Sequence, residues 1–169
     1  TRTISSAASD VYKRQGLHIP MKPKTVIQMK VEAKGQSHSR TNLAVRNLRF
    51  AIDEPEERGG TNAGPTPTEG AVSSLIGCTN VIGNKCAAKL GVDIGHLEIN
   101  AVCDFDRRGV TLAEEIEVPF QKITLTVIAD GPCSDEDLQR VAAETAKFCP
   151  LSKLFRGAGT EITEIWRKS

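Results

Sequence analysis

The sequence predicts one α+β domain in which two core helices pack on a mainly antiparallel sheet. The 169 residues, 39% of them hydrophobic and 25% charged, suffice for one buried core and are too few for two ordinary domains. Strand-like stretches surround two helix-like stretches, without the strict strand-helix alternation of parallel α/β proteins. We therefore expect a single domain over residues 21–169.

The predicted strands are recognised by apolar residues that alternate with polar ones. They cover residues 26–31, 43–52, 97–105, 123–129 and 162–166. The first two predict a hairpin whose turn lies near Gly35 to Ser39.

The first predicted helix spans about residues 67–90 and ends near Gly91. Its first turn has the form of a capping box, with Thr66 as N-cap, a proline at the first helical position and Glu69 at the third. A capping box satisfies two backbone donors that the helix itself leaves without partners, so it explains Glu69 without any catalysis.

The second predicted helix begins after Ser134, an N-cap residue followed by three acidic residues that suit the positive end of the helix dipole. Pro150 must interrupt or restart this helix, because proline has no backbone N–H. The stripe that we expect to face the core contains Leu138, Val141, Ala142, Thr145, Phe148 and Cys149.

Two of the five cysteines, Cys78 and Cys149, face the predicted core from separate helices. Cys78 shares one face of the first helix with residues at helical spacing: Ala71, Leu75, Ile82 and Cys86. Two inward-facing thiols on helices that pack on one sheet could form a reversible disulfide and so a redox centre. The alternative is that both are small buried hydrophobic residues, as most unpaired cysteines are.

A cysteine in the middle of a helix needs a nearby cation to react as a thiolate. The candidate cations are Arg40, Arg46 and Arg49 on the hairpin. Arg40 follows the turn and starts the second strand, from which its guanidinium could reach over the end of the sheet. The alternative for each is a solvated strand arginine.

Composition excludes several classes of function. The formal net charge is +1, which argues against binding to nucleic acid or an anionic membrane. The uncharged stretch around Cys78 is too short to span a membrane. An odd number of cysteines without a Cys-x-x-Cys motif favours the reducing cytoplasm.

His18, His38 and His96 are too scattered to predict a metal site, although His38 could lie at the mouth of a site near Arg40.

The N-terminal residues 1–20 are predicted to be a non-native or disordered segment. Residues 6–15 resemble translated sequencing-adapter read-through and show neither helical nor strand periodicity. We expect the native protein to begin near Met21.

Three features together resemble the OsmC/Ohr family of thiol peroxidases. They are the run from Gly60 to Glu69, Cys78 at eleven residues after Pro67, and the Cys-Pro-Leu-Ser sequence that starts at Cys149. The resemblance covers the chain from about residue 25 to its end. It implies an intertwined homodimer of the OsmC-like fold that reduces organic hydroperoxides at sites on the subunit interface.

By this resemblance Cys78 corresponds to the peroxidatic cysteine, Cys149 to the resolving cysteine and Arg40 to the arginine that activates the thiolate. The family glutamate that pairs with this arginine directly follows the proline, but here Thr68 stands in that place and Glu69 comes next. Glu69 is therefore a candidate both for catalysis and for the helix cap alone.

The resemblance further implies a dithiol reductant of the lipoyl type, or a small thiol, and no metal or flavin cofactor.

Two other interpretations of the function remain open. In one, the same dimeric fold binds a small apolar ligand and the cysteines are inert; in the other, the protein is a thiol-disulfide exchanger or redox sensor. A Cys-His hydrolase is a weaker third option. Cys86, Cys103 and Cys133 belong to no motif, and we expect them to be structural.

Overall fold

A computed structural model of the protein describes residues 24–169. Within this range the chain forms two three-stranded sheets and three α-helices, so the predicted α+β class is confirmed. The strands divide between two sheets, and the helices number three where two were expected. The segment 1–20, predicted to be non-native or disordered, lies outside the described residues.

The first sheet is an antiparallel meander of β1 (Glu32–Gly35), β2 (Thr41–Val45) and β3 (Leu48–Ile52). The turn between β1 and β2 is closed by Ser37 Oγ, which accepts hydrogen bonds from the backbone N–H groups of Ser39 and Arg40 at 3.3 and 3.0 Å. This confirms the predicted hairpin turn near Gly35 to Ser39.

Two strand predictions in this region were wrong. The stretch 43–52 is two strands rather than one, because the chain turns at Arg46, which has a left-handed backbone with φ of 54°. Asn47 completes this two-residue turn, and a tight turn of this kind lets neighbouring strands pair at once. Residues 26–31 precede β1 and are exposed, so their apolar side chains have no sheet partner in the described chain.

Helix α1 (Pro67–Leu90) has the predicted bounds. Thr66 Oγ1 accepts from the Glu69 backbone N–H at 3.2 Å, and the Thr66 N–H donates to Glu69 Oε2 at 3.4 Å, which confirms the predicted capping box. The helix ends at Gly91, whose left-handed φ of 68° is readily adopted by glycine.

The second sheet and two more helices complete the fold. The elements are β4 (Leu97–Phe105), β5 (Phe120–Ala129), α2 (Asp135–Phe148), α3 (Pro150–Gly157) and β6 (Glu161–Lys168). The strand order is β4-β5-β6, with β4 antiparallel and β6 parallel to β5. The helices pack on one face of this sheet around the buried central strand β5. No helix within residues 24–169 is long and apolar enough to cross a membrane.

The predicted core stripe of α2 is correct except at its last helical residue. Val141, Thr145 and Cys149 are buried at intervals of four, as one helical face requires. Phe148 lies beside this stripe rather than on it, and 54% of it is exposed. Its ring instead lies 5.4 Å from Lys89 Nζ, in a cation–π contact with α1.

The loop between β3 and α1 is organised by the buried carboxylate of Asp53. Asp53 Oδ2 accepts hydrogen bonds from the hydroxyl and N–H of Thr61 and from the N–H of Ala63, and Oδ1 accepts from the N–H of Glu54. The loop backbone also packs closely, since a Cβ on Gly64 would lie 2.0 Å from the Ala51 carbonyl oxygen. Asp53 therefore fixes where the chain enters α1.

Asp53 makes the fold sensitive to acid. The Thr61 hydroxyl and three backbone N–H groups hold the Asp53 pKa well below its ordinary value of 3.8. A lowered folded-state pKa adds stability that is present above the ordinary value and lost as the pH falls through the folded value. We expect Asp53→Asn to lower the thermal midpoint by about 5 °C near pH 7. The difference in midpoint between the wild type and the variant should narrow below about pH 4.

Differential scanning fluorimetry across the pH range tests this expectation. The matched control is Asp104→Asn, because Asp104 is an exposed carboxylate on β4. A gap for Asp53→Asn that stays constant from pH 7 to pH 3 would contradict the assigned role of the charge.

Candidate functional site

The structure brings the two predicted redox cysteines into direct contact. The Cys149 thiol donates a hydrogen bond to Cys78 Sγ, with 3.1 Å between the sulfurs, although 71 residues separate them in the chain. Both are free thiols. A disulfide needs the sulfurs to approach to about 2.05 Å, so a small movement of the side chains suffices to form one.

Pro150 creates the local geometry that presents Cys149. The Cys149 N–H donates to the Thr145 carbonyl at 2.9 Å and so ends α2, while its extended backbone lets α3 restart at Pro150. The Cys149 sulfur then caps the new helix by accepting from the Ser152 N–H at 3.4 Å. The predicted interruption at Pro150 is thus confirmed, and its result is a thiol at a helix N-terminus.

The two sulfurs differ in their access to solvent. Cys149 is 2% exposed, whereas Cys78 is only partly buried. Burial, together with the contact to Cys78, raises the pKa of Cys149 to about 11, against the opposing effect of the Ser152 and Leu151 N–H groups. At neutral pH Cys149 therefore holds its proton and acts as the donor, while the accessible sulfur of Cys78 is the acceptor.

An apolar environment surrounds the thiol pair. Leu75, Ile123, Phe155 and Ile162 form a buried cluster with Cys149, and Cys78 packs against it. Next to this cluster an open cleft of about 450 Å³ lies between the start of α1 and β4. Its apolar wall residues include Val72, Ile76, Ala101, Cys103, Phe105 and Phe120, and Thr68, Glu69 and Ser73 add polar side chains from α1. A cleft whose walls are mostly apolar suits an organic molecule better than a small polar one.

Arg40 directly precedes β2, whose first residue is tied to the start of α1. Its neighbour Thr41 pairs with Ile52, and the Ile52 side chain lies against Gly70 in the first turn of α1. Arg40 Nε donates to Asn42 Oδ1 at 3.0 Å. Within the described chain, Cys149 is the hydrogen-bond partner of Cys78, and no arginine bonds to that sulfur.

Glu69 lies near the start of α1 and lines the cleft. It precedes Cys78 by nine residues, which corresponds to about 13 Å along the helix axis. One chain therefore joins Cys78 to Cys149 and places Glu69 on the wall of the neighbouring cleft. Arg46 lies in the β2–β3 turn, and Arg49 donates to the Leu48 carbonyl at 3.1 Å.

The other residues considered from the sequence take structural positions. Cys86 and Cys133 are buried in the main core. Cys103 borders the cleft, and burial next to Asp104 raises its pKa. His38, in the β1–β2 turn, lies beside Gly59, which belongs to the loop before α1. Among residues 24–169 no group of three or more His, Cys, Asp or Glu side chains is arranged to hold a metal ion.

Sequence reasoning did not assign a role to the polar residues behind Cys149. Arg156 Nε donates to the buried Ser152 Oγ at 3.2 Å, and Arg156 Nη2 lies 3.8 Å from Glu164 Oε2. The spacing offers a partial signal, because residues 149, 152 and 156 follow the i, i+3, i+4 rule of one helical face. The contribution of Glu164 from β6 could not be found in this way, since it depends on tertiary packing.

Comparison with solved structures finds the same fold. An OsmC-like protein from Mycoplasma pneumoniae is 16% identical with a TM-score of 0.67, and the match covers 85% of this chain and 96% of that one. An organic hydroperoxide resistance protein from Elizabethkingia anophelis is 18% identical with a TM-score of 0.64, over 87% and 100% of the two chains. Likeness at such identities establishes the fold.

A third structure, an organic hydroperoxide resistance protein of Bacillus subtilis, is 19% identical with a TM-score of 0.56, over 83% and 98% of the two chains. Comparison with curated protein sequences gives no match. The family model described as OsmC-like protein matches residues 60–164, which include both contacting cysteines and the start of α1. The chain therefore belongs to the OsmC-like protein family.

Proposed function

We propose that this protein is a cysteine-based, thiol-dependent peroxidase that reduces organic hydroperoxides. The observation that carries the proposal is the 3.1 Å contact between an accessible sulfur, Cys78, and a buried one, Cys149. Organic hydroperoxide resistance in the names of several proteins with this fold supports the substrate class. The unequal exposure supports Cys78 as the peroxidatic cysteine and Cys149 as the resolving one.

In the first step the Cys78 thiolate attacks the distal oxygen of the hydroperoxide. The O–O bond breaks, the alkoxide takes up a proton and leaves as an alcohol, and Cys78 becomes a sulfenic acid. The Cys149 S–H, which points at the Cys78 sulfur, stabilises negative charge there before the attack. The apolar walls of the neighbouring cleft favour an organic peroxide over hydrogen peroxide.

In the second step Cys149 condenses with the sulfenic acid and water leaves. A dithiol, of which the lipoyl type is one candidate, then reduces the disulfide and regenerates both thiols. The sulfurs perform the redox chemistry without a metal or flavin cofactor. Five free cysteines suit the reducing cytoplasm as the place of action.

We propose that the working unit is an intertwined homodimer. The sheet β1–β3 makes few contacts with the other helices and strands of the described chain, and Leu48 and Phe50 on it are 48% and 47% exposed. A second copy would cover these side chains, because exposed apolar side chains grouped on one face mark interaction surfaces. The resemblance to OsmC/Ohr proteins implies the same arrangement.

The dimer would also complete the site. Because Arg40 of the same chain bonds to Asn42 and not to Cys78, we propose that Arg40 of the partner subunit supplies the cation that activates the thiolate and holds the peroxide oxygens. Glu69, in contrast, is engaged in the capping box of its own helix, and we assign it that role.

Removal of the peroxidatic sulfur tests the reaction itself. We expect Cys78→Ser to reduce consumption of cumene hydroperoxide with dihydrolipoamide by at least about 100-fold, because the nucleophile is lost. Cys86→Ser is the matched control, being a cysteine on the same face of α1 that does not touch Cys149. Unchanged turnover in Cys78→Ser would refute the peroxidase. In the wild-type protein, disulfide formation without turnover would favour a redox sensor. The absence of both disulfide formation and turnover would favour an inert binding module.

Heterodimers test whether Arg40 acts across the interface. A dimer of one Arg40→Met chain and one Cys78→Ser chain retains one intact site if the arginine comes from the partner, so we expect about half of wild-type turnover. A dimer of one wild-type chain and one chain with both substitutions should then be inactive. The two heterodimers exchange these results if Arg40 serves its own chain, which would overturn this part of the proposal.

Glutamine at position 69 separates capping from catalysis. Glu69→Gln keeps a side chain that can complete the capping box, so we expect unchanged thermal stability and turnover within about threefold of wild type. Glu69→Ala removes the cap and should cost about 1 kcal/mol in the free energy of unfolding, measured by urea denaturation. A tenfold or greater loss of turnover in Glu69→Gln at unchanged stability would instead place the carboxylate at the thiol.

A further inference from the structure

Three polar side chains connect the first turn of α3 to strand β6 directly behind the thiol pair. Ser152 Oγ accepts from Arg156 Nε at 3.2 Å, and Arg156 Nη2 lies 3.8 Å from Glu164 Oε2. The Ser152 N–H donates to Cys149 Sγ at 3.4 Å. A continuous path of polar contacts thus runs from β6 to the sulfur of the resolving cysteine.

Ser152 is buried and Glu164 is largely buried, at positions where stability alone would favour apolar residues. Ser152 is 1% exposed, and its hydroxyl would lack a partner without Arg156. Glu164 lies on the helix-covered face of β6 between the buried Ile162 and Trp166, with its side chain 15% exposed. Buried polar groups of this kind are often no more stabilising than well-packed hydrophobic residues. Their convergence on one arginine beside a reactive thiol points to a role in the chemistry.

We propose that Ser152 and Arg156, held by Glu164, are positioning residues that fix the Cys149 sulfur for its attack on oxidised Cys78. The inference rests on the proposed peroxidase function and adds residues that control its second step. Ser152 and Arg156 touch neither the peroxide nor the sulfenic oxygen in this scheme. They act by holding the first turn of α3 against the sheet.

The step that they serve is a displacement at sulfur. The Cys149 sulfur bonds to the Cys78 sulfur, the S–O bond of the sulfenic acid breaks, and the hydroxide leaves as water with the Cys149 proton. The sulfurs must close from 3.1 Å to about 2.05 Å. If the helix start is fixed, rotation of side chains covers this distance. If it is loose, an error of about 1 Å in the attacking atom can cost roughly 100-fold in rate.

Charge adds little to this positioning effect. The titratable groups around Cys149 are Cys78 on α1, Arg156 on α3 with Glu164 of β6 behind it, and Cys103 of β4 in the same apolar cluster. Arg156 is the cation of this set, but its side chain is 44% exposed and paired with Glu164, so it acts on Cys149 by holding Ser152. Loss of Arg156 should therefore slow disulfide formation by loosening the first turn of α3.

Single-turnover kinetics with cumene hydroperoxide separate the two steps. In Ser152→Ala and Arg156→Met we expect sulfenic acid formation at Cys78, trapped with dimedone, to stay within about twofold of wild type. Closure of the disulfide with Cys149 should slow by about tenfold or more. Arg156→Lys should recover part of the rate. Lys153→Met, an exposed cation on the same helix, is the matched control.

Oxidation by diamide provides a readout that needs no peroxide. Slower closure of the Cys78–Cys149 disulfide in both variants, under diamide as well as hydroperoxide, would support the positioning role. Slow closure under diamide in a protein that does not consume hydroperoxide would support the role while refuting the peroxidase. Closure at the wild-type rate in Ser152→Ala and Arg156→Met would overturn the inference. So would an equal slowing in Lys153→Met.

Discussion

The proline at position 150 is the constraint on which the candidate site depends. Proline lacks the N–H that would continue α2, and its ring excludes the carbonyl of the preceding turn, so the helix must stop at Cys149. The chain restarts at once as α3. In an unbroken helix the residue at 149 would have no free helix start beside it. The break makes its sulfur the cap of α3, buried in the apolar cluster and aimed at Cys78.

Elements with strong local signals could be predicted from the sequence. The start of α1 is specified by Thr66, the proline after it and Glu69, all within one turn, and the structure contains the complete capping box. Ser134 likewise caps α2 as expected. The inward direction of both thiols followed from helical spacing. In each case the determining interactions lie within a few residues of one another, which is the range that periodicity and capping rules describe.

Features that depend on tertiary packing could not be predicted in the same way. The turn at Arg46 splits an alternating stretch that has the same period on either side of it, so the pattern alone gives one strand. The exposure of Phe148 follows from where the helix happens to end relative to α1. The path from Ser152 to Glu164 joins a helix to a strand, and the positions that must meet are fixed only by how α3 lies on the sheet.

The unequal burial of the two sulfurs also bears on the reduction step of the proposed cycle. An incoming thiolate can reach the sulfur of Cys78 but not that of Cys149, which is 2% exposed. In that cycle a thiol that reduces the Cys78–Cys149 disulfide would therefore bond to Cys78, with Cys149 as the leaving group. The Ser152 N–H and the helix start beside it are placed to receive the negative charge that the departing sulfur acquires. Because the buried Cys149 sulfur contacts Cys78 and is closed to external thiols, exchange with such a thiol can begin only at Cys78.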